Sequence, residues 1–422
     1  LIFYVGFRIA LAVETNSAMK NEPQAKKSNY ISAMITQIDI SNFRSIKKQN
    51  IPLKKLNILY GANGSGKSSV GYAPYVFRNF FVNPNQRLNS LFNLGFINLG
   101  GFENVICQNA QYDEIIISLD IDLGSYENEV WQSVPVYYKL TLTPSIGQSL
   151  IFSWANKVYR IELDLPSTLS ENIEIDFGIT KLLWNGLTFL TTDNSIEGKI
   201  FSGTFNNAFE TIKSLEVISV RRGFFNPIFS TEQATEESLF AMQIRNEGES
   251  FESKIDHYFK KIFDKTFRFV AIPGSTSFYL KTQNSKGHTT DLVNEGFGVN
   301  QTVYMLAKLL KKSTSLAFIE EPEIHLHPSA QVKLVDAFTE IIQKEDKQIF
   351  LSTHSENIVS TILAKIAAGE LNKDDVQFYL AKYEDGETKI ISQEVNDKGQ
   401  IEGGLMNFME TELDNLKKLL GV

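Results

Sequence analysis

The segment Gly61-Ala62-Asn63-Gly64-Ser65-Gly66-Lys67-Ser68 constrains this chain more than any other. It fits the pattern G-x-x-x-x-G-K-[ST] and follows the apolar run Leu56-Asn57-Ile58-Leu59-Tyr60. Ser68-Ser69-Val70 should open the next helix, which Pro74 complicates. In a strand–loop–helix of this kind, glycines let the backbone curl until successive N–H groups point inward at phosphate oxygens. The helix start adds its positive end. Lys67 is expected to bridge the β- and γ-phosphates, and Ser68 to place its hydroxyl on Mg²⁺. ATP is therefore expected to lie on Gly61 to Ser68 and on Ser69.

Composition fits a folded globular chain: 422 residues, 43% hydrophobic, 21% charged, with 31 Phe to fill a core. Net charge is -8, so no global basic field draws the chain to nucleic acid. Lys47-Lys48, Lys54-Lys55, Arg221-Arg222 and Lys311-Lys312 are the pairs from which a local basic patch would be built. Cys107 is the only cysteine, which excludes an intramolecular disulfide or a thiolate zinc cluster and fits a reducing cytoplasm. Leu1 to Val13 is apolar but too short to span a bilayer, and it lacks the features of a signal peptide. Residues 1–33 are read as an extension, with Met19 and Met34 as candidate starts and the folded domain beginning at Met34. The competing reading is a membrane or targeting tag.

Periodicity predicts strands at Ile35–Ile40, Ile115–Leu123, Val134–Leu142, Leu150–Leu165 and Ile173–Phe177, making residues 110–220 mostly β. Residues 232–266 turn helical, with Phe251, Ile255, Phe259, Ile262 and Phe263 as core positions. No heptad run separates the glycine loop from the later motifs, so a compact insertion is expected there. The tail reads as strands at Val376–Tyr383 and Lys389–Glu394, then a helix at Leu405–Leu420.

Three further segments carry chemistry. Leu316-Ala317-Phe318-Ile319-Glu320-Glu321-Pro322-Glu323 is a buried strand delivering carboxylates at its C-terminal edge, where ligands sit in open α/β sheets. Glu320 would help hold Mg²⁺, directly or through water, and Glu321 would orient or deprotonate the attacking water. Phe350-Leu351-Ser352-Thr353-His354-Ser355 is a second apolar strand, and His354 is placed to contact the γ-phosphate or the water. Asn294-Glu295-Gly296-Phe297-Gly298-Val299-Asn300-Gln301 precedes a helix from about Thr302 to Lys312 and makes a second anion site, suited to a nucleotide held by another subunit.

The order of glycine loop, GFGxxQ segment, EEPExHLHP and STHS resembles the ABC-type ATPase heads of the RecF/SMC/OLD-like group. Among these it is most similar to stand-alone bacterial AAA family ATPases found beside DNA-repair and phage-defence effectors. The resemblance covers Met34 to about Thr361; Asn42-Phe43-Arg44-Ser45 and Gly100-Gly101-Phe102-Glu103 also resemble segments of that group.

It implies an α/β P-loop NTPase fold of ABC ATPase type: a mixed central sheet with an antiparallel β subdomain and a helical insertion. The expected parts are a phosphate-loop lobe (34–110), a β-rich part (111–230), a helical and strand insertion (231–290), a lobe with the signature, acidic strand and switch histidine (291–365), and C-terminal strands and helix (366–422). The resemblance assigns Glu320 and Glu321 to Mg²⁺ and water, His354 to the switch, and Gly296, Gly298, Asn300 and Gln301 to a signature closing over ATP from a second head. The implied assembly is a homodimer or higher even oligomer with ATP sandwiched between heads, working with a separately encoded effector in DNA repair or antiphage defence.

Departures qualify this picture. Glu320 stands where Asp is common, Asn300 where Ser is frequent, and the transporter signature LSGGQ is absent. His325 and His327 invite a metal reading, but their match to the family's interface loop implies an inter-subunit or structural role. OLD-type proteins carry a TOPRIM nuclease after this region; the acids of this tail form no two-metal cluster, so no nuclease is expected in the chain. Direct DNA binding of the RecF kind and a transporter's nucleotide-binding subunit are the alternatives.

Overall fold

A computed structural model describes residues 31–405 apart from short internal stretches, the longest being 164–171; residues 1–30 and 406–422 lie outside it. The expected helix at Leu405–Leu420 therefore falls almost wholly outside the described residues. Strand β1 (Ile31–Phe43) begins just ahead of Met34, because Ile31, Ser32 and Ala33 already pair with Ser125, Gly124 and Leu123. It turns at Arg44 into β2 (Ile46–Pro52) and leads to β3 (Leu56–Gly61), which is buried along its whole length. Helix α1 (Lys67–Val82) starts at once and continues through the buried Pro74, so the proline does not end it. A one-turn helix, α2 (Phe102–Val105), precedes the β-rich region.

That region is an antiparallel meander: β4 (Ile115–Glu127), β5 (Val130–Gln132), β6 (Pro135–Leu142), β7 (Gln148–Trp154) and β8 (Lys157–Leu163). The stretch read as one strand over Leu150–Leu165 is two, since Trp154 pairs antiparallel with Lys157. The sheet runs β2-β1-β4-β6-β7-β8, with β5 paired to β4. A small sheet of β9 (Ile173–Asp176), β10 (Lys181–Trp184) and β11 (Phe189–Thr191) follows.

Within the mostly β stretch of 110–220 the structure adds one helix that the periodicity did not predict. Residues Ile196–Lys213 form α3. Phe201, Phe205, Ala208, Phe209 and Ile212 recur at three- and four-residue steps, and all are buried with α1 in one core cluster.

Strand β12 (Glu216–Ile218) re-enters the centre. The helical region is two elements, α4 (Glu236–Asn246) and α5 (Glu249–Phe263), parted at Gly248, whose φ of 87° no helical residue adopts. The hairpin β13 (Lys265–Ala271) and β14 (Phe278–Asn284), with β15 (Thr289–Asp291), packs on α5 and completes the insertion. Then come α6 (Phe297–Leu310), β16 (Leu316–Glu320), α7 (Pro328–Lys344), β17 (Gln348–Thr353), α8 (Glu356–Ala367), β18 (Val376–Glu384) and β19 (Glu387–Gln393).

The central sheet has the order β12-β16-β17-β3-β18-β19. All pairs are parallel except β18 with β19. The first five strands therefore end on one edge, with Tyr60 opposite Thr353 on one side and Leu380 on the other, and Glu320 opposite Ser352. Buried apolar clusters cover both faces, as parallel sheets require. This is the mixed sheet with an antiparallel subdomain and helical insertion expected of an ABC-type P-loop NTPase.

Candidate active site

The shared edge collects the chemistry. β3 ends in the glycine loop, where Gly61, Gly64 and Gly66 have φ of 146°, 76° and 90°, values that L side chains resist. A side chain at Gly66 is excluded twice, because a Cβ would lie 2.0 Å from the Thr388 hydroxyl. Gly66 caps α1 without a side-chain hydrogen bond, so the helix start keeps donors for an anion. Ala62, Asn63 and Gly64 form the exposed crest, while Ser65 and Ser69 are buried. The buried Ser65 hydroxyl has no hydrogen-bond partner among the described residues. An orphaned hydroxyl and an uncapped helix start in one loop fit a phosphate chain.

Lys67 lies back along this loop, its Nζ donating to the carbonyls of Gly61 (3.0 Å) and Ala62 (2.8 Å). Burial lowers its pKa to about 8, against the opposing pull of Glu321 and Glu323. The sequence missed what holds the loop from outside. Thr388 of β19 donates to the Ser65 carbonyl (3.0 Å) and shares a 2.7 Å hydrogen bond with Ser45.

Glu320 ends β16 with a buried carboxylate. Both its oxygens accept from the hydroxyl of Tyr72, at 3.0 and 3.1 Å, and Ser68 hydrogen-bonds the same phenol. Burial, then the Glu320 charge, push the phenol's pKa well up. A buried carboxylate facing one neutral donor is poorly compensated, so this donor set fits a divalent cation. Among the described residues no group of three His, Cys, Asp or Glu could hold a metal. Mg²⁺ needs only one or two protein ligands and completes its shell with water and phosphate.

Glu321 turns the chain sharply. Its φ is 41°, an uncommon value for a side chain this long, while its N–H still donates to Ser352 O at 2.8 Å. Its carboxylate lies 3.5 Å from His354 Nε2, with both side chains half-buried. The hydrogen bond from His354 lowers the Glu321 pKa, so the carboxylate is ionised at neutral pH. An ionised acid beside an imidazole at the mouth of a phosphate cradle can align a water and take its proton.

Two residues that were not singled out support this pair. Arg222, just past β12, is 2% exposed and donates to the carbonyls of Glu320 (2.5 Å), Glu321 (2.8 Å) and Ser219 (3.1 Å). Burial lowers its pKa to about 10, although Glu323, Glu320 and Glu321 all favour its charge. Glu323 accepts from the Thr353 hydroxyl (2.8 Å) and the His354 N–H (2.7 Å), fixing the switch strand to the acidic turn. Burial raises its pKa. The only sequence signal for Arg222 was an arginine behind an apolar run, and it was read there as part of a basic pair.

Arg222 and Lys311 are both buried, which removes them from any basic surface patch. Lys47 and Lys55 are paired with Glu387 and Asp375.

The signature segment packs against the chain that follows Glu321. Gly296 is exposed and caps α6 with no side-chain hydrogen bond; Phe297 beside it is exposed. A Cβ on Gly298 would lie 2.3 Å from the carbonyl oxygen of His325, so only glycine fits. Gln301 is 3.4 Å from His325 Nδ1. Asn300 points inward: its amide donates to the Phe224 and Leu292 carbonyls and accepts from the Phe224 N–H. Its side chain is thus engaged in the interior, on Phe224 and Leu292. His327 caps α7, accepting from the Ser329 N–H, and the His325 ring lies tilted 5.5 Å from that of Phe297.

A family model for the AAA ATPase domain matches residues 34–111 and 164–359, and so includes every motif above. Among curated proteins, endonuclease GajA of Bacillus cereus (strain VD045) is 22% identical over 359 residues, 77% of this chain. The chain spans only 56% of that relative's length. Among solved structures, an SMC head bound to the C-winged helix domain of ScpA superposes with a TM-score of 0.51 at 13% identity, covering 85% of this chain and 97% of the head. No helix among the described residues is long and apolar enough to cross a membrane. On its domain match the chain belongs to the AAA ATPase domain family and is an ATPase, with a fold similar to that of an SMC head.

Proposed function

We propose that this ATPase is a head that pairs with a second copy around ATP and Mg²⁺, and that closing and opening of the pair switches a separately encoded effector in DNA repair or antiphage defence. One observation carries the reading. The phosphate loop, Glu321 and His354 gather at one sheet edge, whereas α6 starts at the exposed, uncapped Gly296 of a separate segment, whose Gly298 is pressed against the His325 carbonyl. A chain with a cradle and a separate anion-binding helix start has two half-sites that complete each other in trans.

In this reading Gly61 to Ser69 bind the phosphates, and Lys67 leaves the loop carbonyls for the β- and γ-oxygens. Ser68 and Glu320 would hold Mg²⁺, which would supply positive charge to the phosphates. Glu321 takes the proton of the attacking water as the water oxygen bonds to the γ-phosphorus and ADP leaves with the bond electrons. His354 orients Glu321 and faces the γ-phosphate. Gly296, Gly298 and Gln301 close over the partner's nucleotide, and Asn300 shapes the segment from inside. The endonuclease relative supports a nucleic-acid-directed effector, and the ScpA-bound head supports docking of a partner on such a fold. Net charge of -8 and paired surface lysines favour an effector over direct DNA contact.

The test uses Glu321→Gln with light scattering. ATP should convert the variant to a stable dimer while turnover falls at least ~100-fold, a size typical of losing a catalytic base. Lys67→Ala should remain monomeric and bind no nucleotide. An ATP-loaded Glu321→Gln protein that stays monomeric would sink the pairing.

A further inference from the structure

The surroundings of Glu320 extend the metal-site reading, on which this inference rests. Glu320 is 4% exposed, and Tyr72 OH is the donor to both its carboxylate oxygens. Tyr72 lies one helical turn beyond Ser68 on α1, and the Ser68 side chain bonds to the same phenol. One hydroxyl therefore joins the two side chains assigned to Mg²⁺.

The ring that carries this hydroxyl is itself held. Its centroid is 5.6 Å from that of Phe96, and the guanidinium of Arg44, in the turn between β1 and β2, lies 5.9 Å from it. A terminal carboxylate torsion is broad and roughly two-fold, so a buried glutamate with no donor settles poorly. A phenol fixed by packing removes that freedom before the cation arrives.

We propose that Tyr72 is a positioning residue of the metal site: its hydroxyl holds the Glu320 carboxylate toward Ser68, so that the cation bound with nucleotide meets a preset pair of ligands. The role is built into α1 by a four-residue spacing from Ser68, and it leaves Glu321 and His354 free for the water.

Tyr72→Phe removes the hydroxyl and keeps the ring. Mn²⁺ serves as the probe, titrated by electron paramagnetic resonance into full-length protein saturated with ADP, with ADP affinity measured separately in EDTA. Mn²⁺ affinity should fall about 10-fold or more, in the range known for lost supporting hydrogen bonds. ADP affinity in EDTA should stay at the wild-type value, while the metal-free melting temperature falls because the buried Glu320 carboxylate loses its donor. Unchanged Mn²⁺ affinity would overturn the proposal, and so would tighter binding, which would mean that the hydroxyl competes with the cation. If wild-type protein shows no ADP-dependent Mn²⁺ binding, the metal-site reading falls and takes this role with it. A wild-type signal with an indistinguishable variant removes Tyr72 alone.

Discussion

Arg222 and Glu321 are 99 residues apart in sequence, yet the guanidinium of the first donates to the main-chain carbonyl of the second at 2.8 Å. The same guanidinium reaches the Glu320 carbonyl at 2.5 Å, so one buried cation ties down both peptides of the acidic turn. Glu321 sits at φ 41°, a conformation that costs about 1 kcal/mol or more and lasts only where its surroundings enforce it. Arg222 supplies much of that enforcement, with a planar fork that lysine lacks.

Arg222→Lys should therefore fold, bind ATP with near-wild-type affinity and lose at least ~10-fold in kcat, because the carboxylate drifts from the water's position. Steady-state kinetics beside nucleotide titration checks this, and a KM effect without a kcat effect would refute it. Arg222→Ala should instead destabilise, by about 1–3 kcal/mol for each buried carbonyl it leaves unpaired. Denaturant melts read that loss.

Thr388 acts on the loop from the far end of the chain. It is buried, bonded to Ser65 O and Ser45 Oγ, and pressed against Gly66. Thr388→Val keeps the shape and leaves a loop carbonyl unpaired, a loss of about 1–3 kcal/mol. Nucleotide affinity should fall by about 10-fold, since 1.4 kcal/mol is a factor of ten. Thr388→Ser should restore it. Fluorescent-nucleotide titration separates the two variants, and equal affinity in both would remove Thr388 from the loop's support.

Glu340 on α7 governs an acid-sensitive contact between helices. It accepts from Lys261 and pairs with His257 of α5, and it pairs with Lys344 on its own helix. Lys261 first, then Lys344, hold its pKa down to about 2, from an ordinary 4.5. A carboxylate with a lowered folded-state pKa adds stability above its unfolded value and loses it as pH falls through the folded one. Glu340→Gln should thus melt about 1–2 °C below wild type at neutral pH, the shift expected for about 1 kcal/mol after solvent screening. The gap should close between pH 4.5 and 2 and shrink in high salt. Calorimetry across that window tests it; a gap that widens in acid would reverse the assignment.

The readable parts of the site are those written in consecutive residues. Gly61 to Ser68, Leu316 to Glu321 and Phe350 to His354 each pair an apolar strand with a polar end, and parallel pairing then brings the ends together. Arg222, Tyr72 and Thr388 could not be read this way, because their neighbours in sequence are ordinary and their roles arise from contacts 98, 248 and 323 residues away. Asn300 sat in a segment whose helix start faces outward, but side-chain direction within the first turn decides its partners, and it turned inward. Helix α3 was hidden for another reason: its aromatic residues have strong strand propensity and lie beside true strands, so local preference outweighed a helical period that tertiary packing enforces.

The placement of β3 bears on how the chain reaches its working state. It is third in sequence but lies fourth of six across the central sheet, between β17 and β18. Until residues 348–381 have folded beside it, an apolar six-residue strand has both edges open, the kind of surface on which chains aggregate. Nucleotide binding should therefore be among the last properties gained during folding, and a chain cut before β18 should be sticky as well as inactive.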